Sequence, residues 1–465
     1  MNNKTIKSIL CVLLIVGSIT FQNAYSFQTN CNTIECLQNA LKTAKPGDEI
    51  ILASGTYKFS NADKIKGAFN RNVYLHSNSN GSAGSPITLR GASSKAKPVI
   101  EGVDYNDGYL LSLEGDYWII KDIEFKTGSK GVILDNANYC QLVNIEVHDV
   151  GDEAIHLRDG SSYNSVNRCK VYDTGKKQAG FGEGIYVGSD QGQQVNTNDP
   201  DNSRRIYKGN CDFNKIFNCI LGPNVSAEHI DVKEGTIHTE IYSNMFFAEG
   251  ITNQNSADSF IDLKGMYGFV FENTFNCENA PNLSSVVDFS DRSGKIPGNG
   301  SNEQEKTGYR NAMFDNIINL GSRAGSIDTM KKASSNPEQT HMWDNQRIPD
   351  SENFPVAAFT ERFVTQSCPT HWSNFSCNTG VLNIAKRTKG GFIYYPNPVN
   401  NTLYFNVDHT KTTVFSFYTV SGKEVLSVET KIGSSNINVS SLAKGTYVMV
   451  AMNLKETTTG LIVKN

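Results

Sequence analysis

Three stretches of the chain align without gaps: "DEAIHLRDG" from residue 152, "GEGIYVGSD" from 182 and "AEHIDVKEG" from 227. A fourth, "DSFIDLKG" from 258, joins them with its acid displaced by one residue. Apolar and polar residues alternate in each, as in a strand with one buried face. If such strands stack in register, equal positions become columns. One column is His156, Tyr186, Asp231 and Asp262, and beside it run Arg158, Gly188, Lys233 and Lys264. Glu153, Glu183, Glu228 and Asp258 mark the strand starts. All of these are expected to face outward, into solvent.

Carboxylates stacked at the roughly 4.8 Å spacing of neighbouring strands repel unless a cation or a hydrogen-bond donor intervenes. Arg158, Lys233 and Lys264 supply part of that compensation, and Ca²⁺ would supply it directly through oxygen ligands. The expected metal ligands are therefore Glu153, Glu183, Glu228 and Asp258. His156, Tyr186, Asp231 and Asp262 are the expected substrate contacts, with Gly188 leaving a low floor for a sugar ring. A lysine among other cations and partly desolvated can serve as a base. That chemistry suits β-elimination of a uronate polysaccharide. The base takes the proton α to the carboxyl group, a cation neutralises the resulting charge, and the 4-O-linked sugar leaves. For any single residue a solvated strand face is the plainer reading. A solvated face, however, has no need of acid and base columns registered across four coils.

The elements that would hold such columns are legible upstream and downstream. Seven segments share one register: "WIIKDIEF", "CQLVNIEV", "NSVNRCKV", "NKIFNCIL", "TEIYSNMF", "GFVFENTF" and "NAMFDNII". Their third residues are Ile120, Leu142, Val166, Ile216, Ile241, Val270 and Met313, at steps of 22, 24, 50, 25, 29 and 43. The two near-double steps imply a second coil or a long loop. The sixth residues run Ile123, Ile145, Cys169, Cys219, Asn244, Asn273 and Asn316, a set suited to amide stacking between coils. Neither the Leu spacing of a horseshoe nor the four-strand unit of a propeller is present. The expected fold is all-β, a right-handed parallel β-helix. An amphipathic helix in "TIECLQNALKTAKPGDEIILASGTY" should cap its first coil.

"AKPGDEIILASGTY", "SPITLRG" and "KPVIEG" resemble the opening coils of pectate-lyase-like β-helix proteins, over roughly residues 30 to 330. "IDVKEGTIHTEIYSNMFF" is similar to a coil of the alginate lyase and chondroitinase B family, whose lysine is the catalytic base. The resemblance places that role on Lys233. The chain departs from the family at the next coil, where "DLKG" replaces a strand carrying a catalytic arginine. Lys264 or Arg158 then takes that place, or the reaction differs. The alternatives are a glycoside hydrolase using Asp231 and Asp262 and a non-catalytic glycan-binding or adhesive β-helix. Polygalacturonase motifs are absent.

The termini read differently. Residues 1–26 have the Lys4 and Lys7 start, apolar run and small-residue end of a secretory signal peptide. Residues 27–380 are the expected β-helix and 381–392 a linker. "YPNP" and "KGTYVM" in 393–465 resemble the C-terminal sorting domain of type IX secretion, implying a small β-sandwich and delivery to the cell surface or beyond. A carbohydrate-binding sandwich is the other reading of that strand pattern. With a net charge of −4 and no long basic cluster, nucleic acid is not an expected partner. The expected partners are an acidic polysaccharide and the type IX machinery, with no transmembrane segment and a monomeric state. Of ten cysteines, Cys31 with Cys36 and Cys368 with Cys377 are plausible pairs, and their spacing does not suggest zinc.

Overall fold

A computed structural model describes residues 27–194, 206–290, 292, 307–308, 310–332, 341–343 and 345–349. In the tail it describes 394–395, 399–405, 412–419, 422–430, 436–452 and 457–464. The expected signal peptide over 1–26, the expected linker over 381–392, Cys368 and Cys377 lie outside the described residues.

The body is a parallel β-helix of three sheets with 11, 10 and 10 strands, each coil giving one strand to each sheet in turn. The repeat register is the register of the first sheet. Ile120, Leu142, Val166, Ile216, Ile241, Val270 and Met313 are direct partners in succession, and all are buried. The step of 50 is a long loop and not an extra coil, because Val166 pairs directly with Ile216. The step of 43 is also a loop, since Val270 pairs with Met313.

The helix Ile34–Thr43 forms where expected, its N-terminus capped by Thr33, whose hydroxyl accepts from the Cys36 N–H. It buries Leu37 and Leu41 against the first coils, and the Cys31–Cys36 disulfide ties its start to the first strand. Cys140, Cys169, Cys211, Cys219 and Cys277 are buried free thiols.

The asparagine column works as a ladder. Asn273 Oδ1 accepts from the Asn244 backbone N–H at 3.0 Å and from its side-chain amide at 3.1 Å. Asn273 in turn donates to Ile241 O at 2.9 Å and to Asn316 Oδ1 at 3.0 Å. Each turn between coils thus has its backbone satisfied from the coil below.

The tail forms two antiparallel sheets of three and four strands around their own core of Leu403, Phe415, Phe417, Met449 and Ile462. It rests on the outer face of the second sheet, with the Tyr418 and Phe247 ring centres 5.4 Å apart. Lys170 and Glu424 pair across the contact at 2.9 Å.

Asn273→Leu keeps the side-chain branching but strands these buried donors and acceptors, each worth about 1–3 kcal/mol. Thermal melting of the variant should drop by several degrees. A melting curve that overlays the parent would show that the ladder contributes nothing.

Candidate active site

The expected columns exist in the third sheet. Its strands Lys130–Asp135, Ile155–Arg158, Ile185–Val187, Ile230–Val232, Ser259–Leu263 and Ser285–Phe289 lie side by side in that order. His156, Tyr186, Asp231 and Asp262 are successive register partners. Ile155, Ile185, Ile230 and Ile261 point inward to the core, which turns the neighbouring polar residues to the outer face.

The outer face is not solvated, and here the structure corrects the sequence reading. Lys233 is 8% exposed, Asp231 2% and Lys264 1%, because the stacked charges pack against one another. Asp231 sits at the centre, with Lys233 Nζ at 2.8 Å from one oxygen and Lys264 Nζ at 2.7 Å from the other. Lys264 also pairs with Asp262. Burial alone would raise the Asp231 carboxyl, but the two ammonium groups outweigh it and hold it at about 2. Burial alone would lower Lys233, but Asp231 and Glu234 outweigh it and hold Lys233 above the usual lysine value. Lys264 is raised in the same way, to about 12, with burial opposed by Asp231 and Asp262.

Tyr186 remains half-buried next to this cluster, with Lys233 Nζ 4.9 Å from its ring centre. The His156 ring meets Tyr186 edge-on at 4.5 Å, and His156 Nε2 donates to Gly188 O at 2.8 Å. Burial pushes His156 down to about 3, so it is a neutral packing residue beneath the tyrosine. Gly188 is no open floor. Its φ of +98° needs glycine, and a Cβ there would stand 3.0 Å from Lys233 Cβ.

Two other expectations change. Arg158 is 3% exposed and forms a two-pronged pair with Asp135 at 2.6 and 2.9 Å, with the Tyr207 ring 4.5 Å away. That geometry makes it a structural clamp within the sheet. Of the four expected metal ligands, Glu153 is taken by Lys130, and Asp258 accepts from Ser284 Oγ at 2.5 Å. The carboxylates that converge are Glu183, Glu228 and Asp231, with ligand oxygens within 4.8 Å of one another. Glu183 Oε2 is buried with no hydrogen-bond partner. Burial, with Glu153 and Asp231 nearby, lifts Glu183 to about 8, and burial with Asp231 lifts Glu228 well above its usual range. Three crowded acids with an orphaned oxygen fit a hard cation.

Arg292 is the residue that sequence reading missed. It follows the last of these strands and reaches back two coils to Glu234 Oε1 at 3.7 Å and three coils to Asp190 Oδ2 at 4.0 Å. It lies outside every repeated stretch, so no column pointed to it.

The body matches a family model described as "Pel9A-like, right handed beta helix region" over residues 20–199. Residues 394–465 match the secretion system C-terminal sorting domain, so the tail directs type IX secretion to the cell surface or extracellular space. The chain is similar to the crystal structure of an alginate lyase from Paenibacillus sp. str. FPU-7, at 35% identity and a TM-score of 0.59, covering 69% of this chain and 95% of that one. It is 30% identical to "Pectate lyase L" of Paenibacillus polymyxa (strain SC2) over 127 residues, which are 26% of this chain and 25% of that enzyme. The match therefore spans about a quarter of the curated relative. No helix among the described residues is long and apolar enough to cross a membrane.

Glu183 gives a pH test. With its folded pKa near 8 against a usual 4.5, the folded protein holds an extra proton between those values. Stability from this group therefore falls as pH rises through that window. Without added cations, Glu183→Gln should gain melting temperature relative to the parent as pH rises from about 6.5 to 8. A constant offset between the two melting curves would contradict the shifted carboxyl.

Proposed function

The chain belongs to the pectate-lyase-like right-handed β-helix family of polysaccharide lyases, and we propose that it cleaves a uronate polysaccharide, of pectate or alginate type, by β-elimination. Lys233 is the base and Tyr186 the acid. The observation that carries this reading is their contact, an ammonium 4.9 Å from the centre of a half-buried phenol ring. Elimination needs one group to take the proton α to the carboxyl and another to protonate the leaving oxygen. Tyr186 suits the second task, because burial, with the Asp231 charge beside it, keeps its phenol protonated. Lys233 suits the first once its proton has left. Seating a sugar over it removes water, which favours the neutral amine. Asp231 and Lys264 hold it in place meanwhile.

Glu183 and Glu228 from the strand-start set, with Asp231 in place of Glu153 and Asp258, are the proposed Ca²⁺ ligands. A bound Ca²⁺ would supply positive charge for the substrate carboxylate as the carbanion develops. Hydrolysis through Asp231 and Asp262 finds less support, since both carboxylates are already bonded to lysine.

The test is a panel of pectate, alginate and glycosaminoglycan chains, with and without chelator, read by the ultraviolet absorbance of unsaturated uronate. Lys233→Ala should lose at least about a hundredfold in turnover, and Lys233→Arg should not restore it. Because Lys233 is buried, its loss also lowers melting temperature, moderated by the Lys264 contact that Asp231 keeps. Parent activity should climb with pH into the alkaline range, following the raised lysine. Near-parental turnover by Lys233→Ala would overturn the assignment.

A further inference from the structure

The three cations of the site differ in what they can reach. Lys264 and Lys233 are buried and bonded to Asp231, whereas the Arg292 side chain keeps 32% of its surface exposed. Its ion contacts, at 3.7 and 4.0 Å, are longer than the roughly 2.7–2.9 Å of a charge-assisted hydrogen bond. The guanidinium is therefore held near two carboxylates without its donors being used up on them. Glu234 explains its position. That carboxylate is fully buried, neither oxygen accepts a hydrogen bond, and Arg292 is its ion-pair neighbour among the described residues. A buried carboxylate with no donor attracts the nearest cation strongly. Asp190 draws the same group from the other side. The Arg292 backbone N–H donates to Thr307 Oγ1, which fixes the base of the side chain.

Glu234 follows Lys233 directly in the chain, and Asp190 lies two residues past Gly188, which packs on the Lys233 side chain. The guanidinium thus stands at the edge of the proposed catalytic pair, turned partly to solvent. We propose that Arg292, set by Asp190 and Glu234, is a carboxylate-binding subsite that takes one uronate unit of the polysaccharide chain next to Lys233. The planar fork of a guanidinium matches a carboxylate in two parallel hydrogen bonds, and a neutral sugar offers no such partner. Arg292 acts on binding and register of the chain and not on the proton transfers. The subsite rests on the lyase reading for its substrate class, but its test does not require turnover.

Binding of saturated galacturonate and mannuronate oligomers to Lys233→Ala protein, measured by calorimetry, isolates the subsite from the chemistry. Adding Arg292→Ala should weaken the better-bound oligomer at least tenfold, and Arg292→Lys should recover part of that loss. In the otherwise unchanged enzyme, Arg292→Ala should raise KM far more than it lowers kcat. Arg292→Ala and Arg292→Gln should both lower the melting temperature, by similar amounts, because each leaves the buried Glu234 carboxylate without its ion-pair neighbour, so affinities are compared well below the melting range of either variant. Equal oligomer affinity with and without Arg292 would overturn the proposal, as would failure of both oligomers to bind the Lys233→Ala protein. Oligomer binding that depends on Arg292 in a protein inactive on every uronate would sink the lyase reading and leave the subsite standing.

Discussion

Everything at the site follows from one constraint, the strand spacing of a parallel β-helix. Equal positions on successive coils are forced to within about 4.8 Å, so like charges cannot share a column unless something of opposite sign lies between them. Asp231 meets this by accepting both Lys233 and Lys264. Asp262 shares Lys264, and Glu153 takes Lys130. Glu183 and Glu228 are left without a lysine of their own, and the same spacing that creates the network creates their crowding. The lysine proposed as base is thus both a structural partner and a reactive group. Its raised pKa is a direct result of the carboxylates that position it.

Much of this was legible in the sequence because register in a solenoid is linear. The apolar third positions and the Asn244, Asn273, Asn316 column each became a physical stack. The columns through His156, Tyr186, Asp231 and Asp262 did so as well. Alternation gave the correct face but the wrong environment. A period of two tells which side chains leave the core, and says nothing of what packs over them. Lys233 and Asp231 therefore looked solvated, yet they are buried by their own neighbours. Arg158 looked like a catalytic cation because its partner, Asp135, lies in a coil outside the aligned stretches. Arg292 could not be found by repetition at all, since it reaches the site from beyond a strand end.

The division of labour between faces also has a physical basis. The sorting domain lies on the second sheet through Phe247, Met245 and Ile220, which meet Tyr418, Val448 and Val450. The charged network lies on the third sheet. Among the described residues, the sorting domain and the proposed catalytic residues thus lie on separate sheets of the solenoid. The long connection after Gly188 and the one after Ser290 both leave from the edge of the third sheet, where Asp190 and Arg292 sit.

The most direct test of Lys233 and Tyr186 as an acid–base pair is a crystal structure of the Lys233→Ala protein with a uronate oligomer bound. The account predicts a uronate ring over Tyr186, its α-proton directed at the space left by the Lys233 side chain. The glycosidic oxygen of that ring should lie within hydrogen-bond distance, about 2.5–3.0 Å, of the Tyr186 hydroxyl. An oligomer seated on another face of the solenoid, or one whose scissile bond lies beyond reach of Tyr186, would contradict it.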